Sequence, residues 1–118
     1  MCGIAGVIAT EPLTRGHRSR VRAMSAAMVH RGPDGEGSFH DGPIALTMRR
    51  LSIIDLHRGQ QPLFNEDGAL VLIANGEIYN YIELRDQLRS QGHRFKSGSD
   101  CEVIVHLYEQ YGLDCVKH

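Results

Sequence analysis

Apolar positions along the chain change period several times, and each change marks an element. Residues 4–9 form a short apolar run with Ile and Val between Gly3 and Thr10, which predicts a buried strand. From about Gly16 to Val29, the residues Val21, Met24 and Met28 recur at i, i+3 and i+7 beside Ala27. That spacing predicts a helix with Arg18, Arg20 and Arg22 on its solvated side. Residues 31–37 hold three Gly and one Pro, so both periodicities stop and a loop is predicted. Residues 44–48 and 69–74 read as strands. Between them, residues 55–68 read as turn chemistry around Gly59, Pro62 and Asp67-Gly68.

Two capping patterns follow. Asn80-Tyr-Ile-Glu83 and Ser99-Asp-Cys-Glu102 each place a polar cap three residues before a Glu that can reach back to it. The first helix is expected to stop at Gly92. The second, with Val103, Leu107 and Tyr111 on one face, is expected to stop at Gly112. A short strand is expected at 94–96 and the start of a further element at 113–118. No repeat or linker interrupts residues 1–118, which predicts one domain.

Composition narrows the function. The chain has 118 residues, 42% hydrophobic and 23% charged, the balance of an ordinary globular protein. A net charge of −1 with both signs scattered, and no Trp, argues against nucleic-acid binding. No apolar run approaches the roughly 20 residues of a membrane helix. The N-terminus lacks the charged region of a signal peptide, so a cytoplasmic location and no membrane partner are expected. Three cysteines without framework spacing do not make a disulfide scaffold. Cys101 and Cys115 are expected to be packing residues.

The seven histidines show no pair at i+2, i+3 or i+4, and no Cys-x-x-Cys occurs, so no metal site is expected. His30, His40, His57, His93 and His106 are expected at the surface or hydrogen-bonded. The Gly-rich stretch 32–37 lacks the Gly-Lys-Ser/Thr ending of a phosphate loop.

Cys2 is the first candidate for chemistry. Removal of Met1 would place a thiol and an α-amino group on one residue. That amine has a reference pKa of about 7.7–8.0, so its free base can take the thiol proton near neutrality. Position alone equally suits an inert small residue after Met. Asn75-Gly76 ends an apolar strand and can aim a side-chain amide and a backbone N–H at one point, as an oxyanion hole requires. It is also the commonest tight-hairpin signal. Arg50 can bind a carboxylate bidentately or be an ordinary surface cation. Asp100 can bind an amine or simply favour a helix N-terminus.

Taken together the pieces are more specific. Met-Cys-Gly-Ile-Ala-Gly-Val7, His30-Arg-Gly-Pro-Asp34, Arg50-Leu-Ser-Ile-Ile-Asp55, Gln61-Pro62, Asn75-Gly-Glu-Ile-Tyr-Asn80 and Gly98-Ser-Asp-Cys-Glu102 occur in order along essentially the whole chain. This set resembles the N-terminal glutaminase domain of class II glutamine amidotransferases, of the glutamine-hydrolysing asparagine synthetase type.

The resemblance implies an α+β, N-terminal-nucleophile fold: a four-layer α/β/β/α sandwich with Cys2 at the start of a central strand. It implies that Cys2 attacks free L-glutamine, that Asn75 and Gly76 hold the oxyanion, and that a γ-glutamyl thioester forms. Arg50 would bind the substrate carboxylate and Asp100 its α-ammonium, with Glu77 and the Leu51, Ser52, Ile53 and Ile54 backbone lining the pocket. Arg31 and the loop after it would support the site.

The family domain is longer than this chain, so residues 1–118 are expected to be a partial glutaminase domain with an unfinished core and marginal stability. The implied partner is the chain's own C-terminal synthetase domain, which would bind ATP and Mg2+ and amidate aspartate; a homodimer is compatible. No cofactor is expected within residues 1–118. A related amidotransferase with another acceptor, or an inactive truncation, are the alternatives.

Overall fold

A computed structural model describes residues 2–52 and 59–118. The first sheet has the antiparallel order β1-β3-β2, with β1 at Gly3–Ile8, β2 at Gly35–Asp41 and β3 at Ile44–Arg50. β3 is central because its side chains are the best shielded, with Ala45, Thr47, Met48 and Arg50 all buried. Gly42 takes the positive φ of 47° in the two-residue turn from β2 to β3. Helix α1, Arg15–Ala27, lies on β1 and β3 and buries Val21 and Ser25. Its N-cap is a capping box in which His17 replaces the usual acid. Thr14 Oγ1 accepts the His17 N–H at 3.4 Å, and His17 Nδ1 accepts the Thr14 N–H at 3.2 Å.

A second, two-stranded sheet pairs β4, Leu63–Phe64, with β5, Val71–Leu72. Helices α2, Tyr81–Ser90, and α3, Glu102–Tyr111, join through Leu84, Leu88, Val103 and Leu107. α3 also packs on β4 and β5, and a 3₁₀ turn at Gly112–Lys117 follows it. Among the described residues no helix is long and apolar enough to cross a membrane. The chain is thus α+β, with antiparallel sheets and helices against them.

Several expected elements come out differently. β1 is an edge strand among the described strands rather than a central one, and it alternates: Ile4 and Ile8 face solvent. The predicted loop at 31–37 already contains the start of β2. Its glycines are there for close approach: a Cβ on Gly37 would lie 1.9 Å from the Gln61 carbonyl oxygen, and one on Gly32 would lie 2.3 Å from the Arg49 carbonyl carbon. Gly37→Ala is accordingly expected to lower stability by about 1–3 kcal/mol or more through overpacking. Thermal unfolding reads this directly, and an unchanged Tm would contradict it.

The strand expected at 69–74 shrinks to β5, and the turn chemistry before it includes β4. Neither capping box closes on α2 or α3. Asn80 makes no side-chain cap and donates to the His118 carbonyl at 3.0 Å. α3 starts only at Glu102, whose carboxylate is used elsewhere.

No strand forms at 94–96, because carboxylates take the N–H groups that a ladder would use. Arg94 N–H donates to Glu66 Oε1 at 2.6 Å, and Lys96 and Ser97 N–H donate to Glu102 at 2.6 and 2.8 Å. Burial alone would raise the Glu102 carboxyl. The His106 imidazole, the Ser97 hydroxyl and those two N–H groups outweigh burial and hold it below the usual carboxylate range.

Candidate active site

Register places the nucleophile. β1 begins with Gly3 opposite Arg49, so Cys2 lies beside the end of β3. The Leu51 N–H donates to Cys2 Sγ at 3.3 Å, and the thiol in turn donates to the Leu51 carbonyl at 3.6 Å. Arg31 Nε donates to the Cys2 carbonyl at 3.2 Å. Asp34 fixes the clamp from behind: its N–H donates to the Arg50 carbonyl at 3.0 Å, and its Oδ2 accepts the Ser52 N–H at 2.9 Å. Within the His30–Asp34 motif, Asp34 thus holds residues 50 and 52, and Arg31 holds Cys2.

The opposite wall is built by two side chains. Gln61 pairs with Ala74 as a strand would, donating from Nε2 to its carbonyl at 3.1 Å and accepting its N–H at 2.7 Å. Asp100 Oδ2 accepts the Ile78 N–H at 2.8 Å, and the Cys101 thiol donates to the Gly76 carbonyl at 3.5 Å. Residues 74–78 are thereby held at both ends, with Asn75 and Gly76 between. They form a bend, not the tight hairpin that Asn-Gly also signals.

Between these walls lies a cavity of about 350 Å³, within the size range of small-molecule sites. Cys2, Arg50, Leu51, Asn75, Gly76, Glu77 and Asp100 all line it. Arg50 and Asp100 are buried at 6% and 5% exposure, whereas Asn75, Gly76 and Glu77 are exposed at the mouth. The arrangement offers a thiol, amide donors and two opposite charges to one small molecule. Ser52 does not line the cavity; its N–H is taken by Asp34. Ile53 and Ile54 lie outside the described residues, as does His57.

Six further residues line the cavity without a site role expected from the sequence: Gly59, Gln61, Ala74, Tyr79, Ser99 and Cys101. Gln61 was visible only as part of Gln61-Pro62, and its pairing with Ala74 is a long-range contact with no local signal. Cys101 is buried as expected but also borders the cavity. Burial, reinforced by the Asp100 carboxylate, pushes its thiol up to about 12, so it stays protonated at neutral pH. Cys101 is no rival nucleophile.

His30 and His40 are exposed and His93 bonds Gln110, as expected. His106 is not: it is fully buried, and neither ring nitrogen makes a hydrogen bond.

All of residues 1–118 match the family model described as the glutamine amidotransferase domain. The chain belongs to that family. It is 49% identical over 116 residues to asparagine synthetase (glutamine-hydrolyzing) 1 of Arabidopsis thaliana, covering 98% of this chain and 20% of that protein. The root asparagine synthetase (glutamine-hydrolyzing) of Pisum sativum is 47% identical over 116 residues, with 98% and 20% covered. Asparagine synthetase (glutamine-hydrolyzing) 1 of Bacillus subtilis is 47% identical over 113 residues, with 94% and 18% covered. The chain spans about a fifth of the length of these relatives.

Proposed function

We propose that this domain hydrolyses free L-glutamine to glutamate and ammonia through a thioester on Cys2. The observation that carries the reading is the Cys2 thiol, clamped by Leu51 and facing a cavity shared with buried Arg50 and Asp100. Arg50 would bind the α-carboxylate bidentately, and Asp100 would bind the α-ammonium. Glu77 would close the mouth.

With Met1 removed, the Cys2 α-amine takes the thiol proton as sulfur attacks the side-chain amide carbon. The carbonyl electrons move to oxygen, where Asn75 Nδ2 and the Gly76 N–H stabilise the oxyanion. Collapse breaks the carbon–nitrogen bond, and the protonated amine delivers its proton to the departing ammonia. Water then attacks the thioester, releasing glutamate and restoring the thiol. The two antiparallel sheets and flanking helices would be part of a four-layer N-terminal-nucleophile sandwich.

The ammonia would serve ATP-dependent amidation of aspartate in a synthetase portion, the activity for which the relatives are named. ATP and Mg2+ would be held by that portion, in a cytoplasmic enzyme.

The charge pair makes a direct test. Leaving one member of a buried charge pair unmatched costs roughly 2–5 kcal/mol, at least about 30-fold in equilibrium. Asp100→Asn, which can still accept the Ile78 N–H, is expected to raise KM for glutamine by at least ~30-fold with a smaller change in kcat. N-acetylglutamine, which lacks the ammonium, is expected to be a similarly poor substrate of the native chain. Equal turnover of glutamine and N-acetylglutamine would refute the assignment of Asp100.

A further inference from the structure

The geometry points to a site for a divalent first-row metal ion of the Zn2+ kind, built by Glu66, His93, His106 and Glu109. It lies away from the glutamine cavity, where the turn after β4, the turn after α2 and one face of α3 meet. One ligand atom from each residue lies within 4.8 Å of the others. His106 Nδ1 is 3.3 Å from Glu66 Oε2, His93 Nδ1 is 3.3 Å from Glu66 Oε1, and Glu109 Oε2 is 3.6 Å from His93 Nδ1. A tetrahedral ion with bonds of about 2.0–2.1 Å sets its ligand atoms about 3.3–3.4 Å apart. The cluster is already close to the size of a first coordination shell.

Two observations separate it from a chance meeting of charges. His106 is wholly buried, yet neither of its nitrogens makes a hydrogen bond, and the facing Glu66 Oε2 is a second buried atom without one. Buried polar atoms of this kind are rare in folded proteins. A cation among the four donors would take up the His106 Nδ1 and Glu66 Oε2 atoms.

The second observation is the orientation of the rings. Each imidazole turns Nδ1 into the cluster; His93 Nε2 bonds outward to Gln110 Oε1 at 3.2 Å, whereas His106 Nε2 only faces Glu102 Oε1 at 3.6 Å, beyond hydrogen-bond reach. Metal-bound histidines place the second N–H against such an oxygen, which fixes the tautomer with its lone pair toward the metal. The Arg94 N–H holds Glu66 Oε1 in the same supporting way, at 2.6 Å.

Donor chemistry selects the ion. Two neutral imidazoles and two carboxylates balance a 2+ charge. Mixed nitrogen and oxygen donors suit Zn2+ and its first-row neighbours, whereas Ca2+ and Mg2+ take all-oxygen shells. The role would be structural: the ion would tie the turn after β4 to α3, the helix that follows Asp100 and Cys101. The ligands come from three separate segments, which is why no local spacing announced them.

The test is titration of the chelator-stripped 118-residue chain with Co2+, then Zn2+, on a Cys2→Ala background that removes the cavity thiol as a competing ligand. One Co2+ per chain is expected, with visible ligand-field bands that Zn2+ displaces, and Zn2+ is expected to raise Tm. Outer-shell changes cost about 10–100-fold in metal affinity. Gln110→Ala is therefore expected to weaken binding about 10-fold, and Glu109→Gln or His93→Asn by at least that much. Failure of the folded chain to bind one equivalent would overturn the proposal. So would stoichiometric binding that Glu109→Gln and His93→Asn leave unchanged.

Discussion

Cys2→Ala is expected to reduce glutamine hydrolysis by a factor of about 10⁴ or more, the usual scale for deleting a covalent nucleophile. No other thiol lining the cavity can substitute. Cys101 borders the same cavity, but burial and the Asp100 carboxylate keep it protonated, and its hydrogen points at the Gly76 carbonyl. The substitution removes one sulfur and its two contacts with Leu51, so the change in stability should stay within about 1 kcal/mol. Activity is therefore lost without unfolding. Steady-state ammonia release, with circular dichroism as the folding control, measures both. Substantial residual activity in the variant would place the nucleophile elsewhere.

Asn75→Ala is expected to cost about 10²–10³ in kcat with little change in KM, the effect of removing one oxyanion donor. The split follows from placement. Asn75 sits at the cavity mouth between Ala74, held by Gln61, and Gly76, held by Cys101, so its backbone stays put when the side chain goes. The buried charges that would bind the substrate ends, Arg50 and Asp100, are untouched. A rise in KM with kcat preserved would instead make Asn75 a ground-state contact.

Periodicity revealed α3 because Val103 and Leu107 bury a stripe at helical spacing; on α1 the expected stripe is only partly buried, with Val21 inside and Met24 and Ala27 exposed, while Ser25 takes the second buried position. It failed where a residue type serves another purpose than its usual one. Glycines 35 and 37 looked like strand breakers, but Gly37 belongs to β2 because only a glycine fits against the Gln61 carbonyl. Glu102 looked like a capping acid, but it collects the Lys96 and Ser97 N–H groups and so replaces the strand expected there. β4, at two residues, is too short to carry a pattern.

For the site, the ordered motifs named Cys2, Arg50, Asn75, Gly76, Glu77 and Asp100, and all six meet around one cavity. Gln61 and the histidine–glutamate cluster depend on contacts between distant segments, which spacing along the chain does not encode. Ser52 was grouped with the lining because it sits in the Arg50 motif, yet its backbone serves Asp34.

The most direct test of the central claim is intact-mass analysis of the folded chain after incubation with an electrophilic glutamine analogue. The account predicts one adduct per chain, mapped to Cys2 on Met1-free protein, suppressed by glutamine and absent from Cys2→Ala. A folded, Met1-free chain that forms no adduct, or forms it on Cys101 or Cys115, would contradict it.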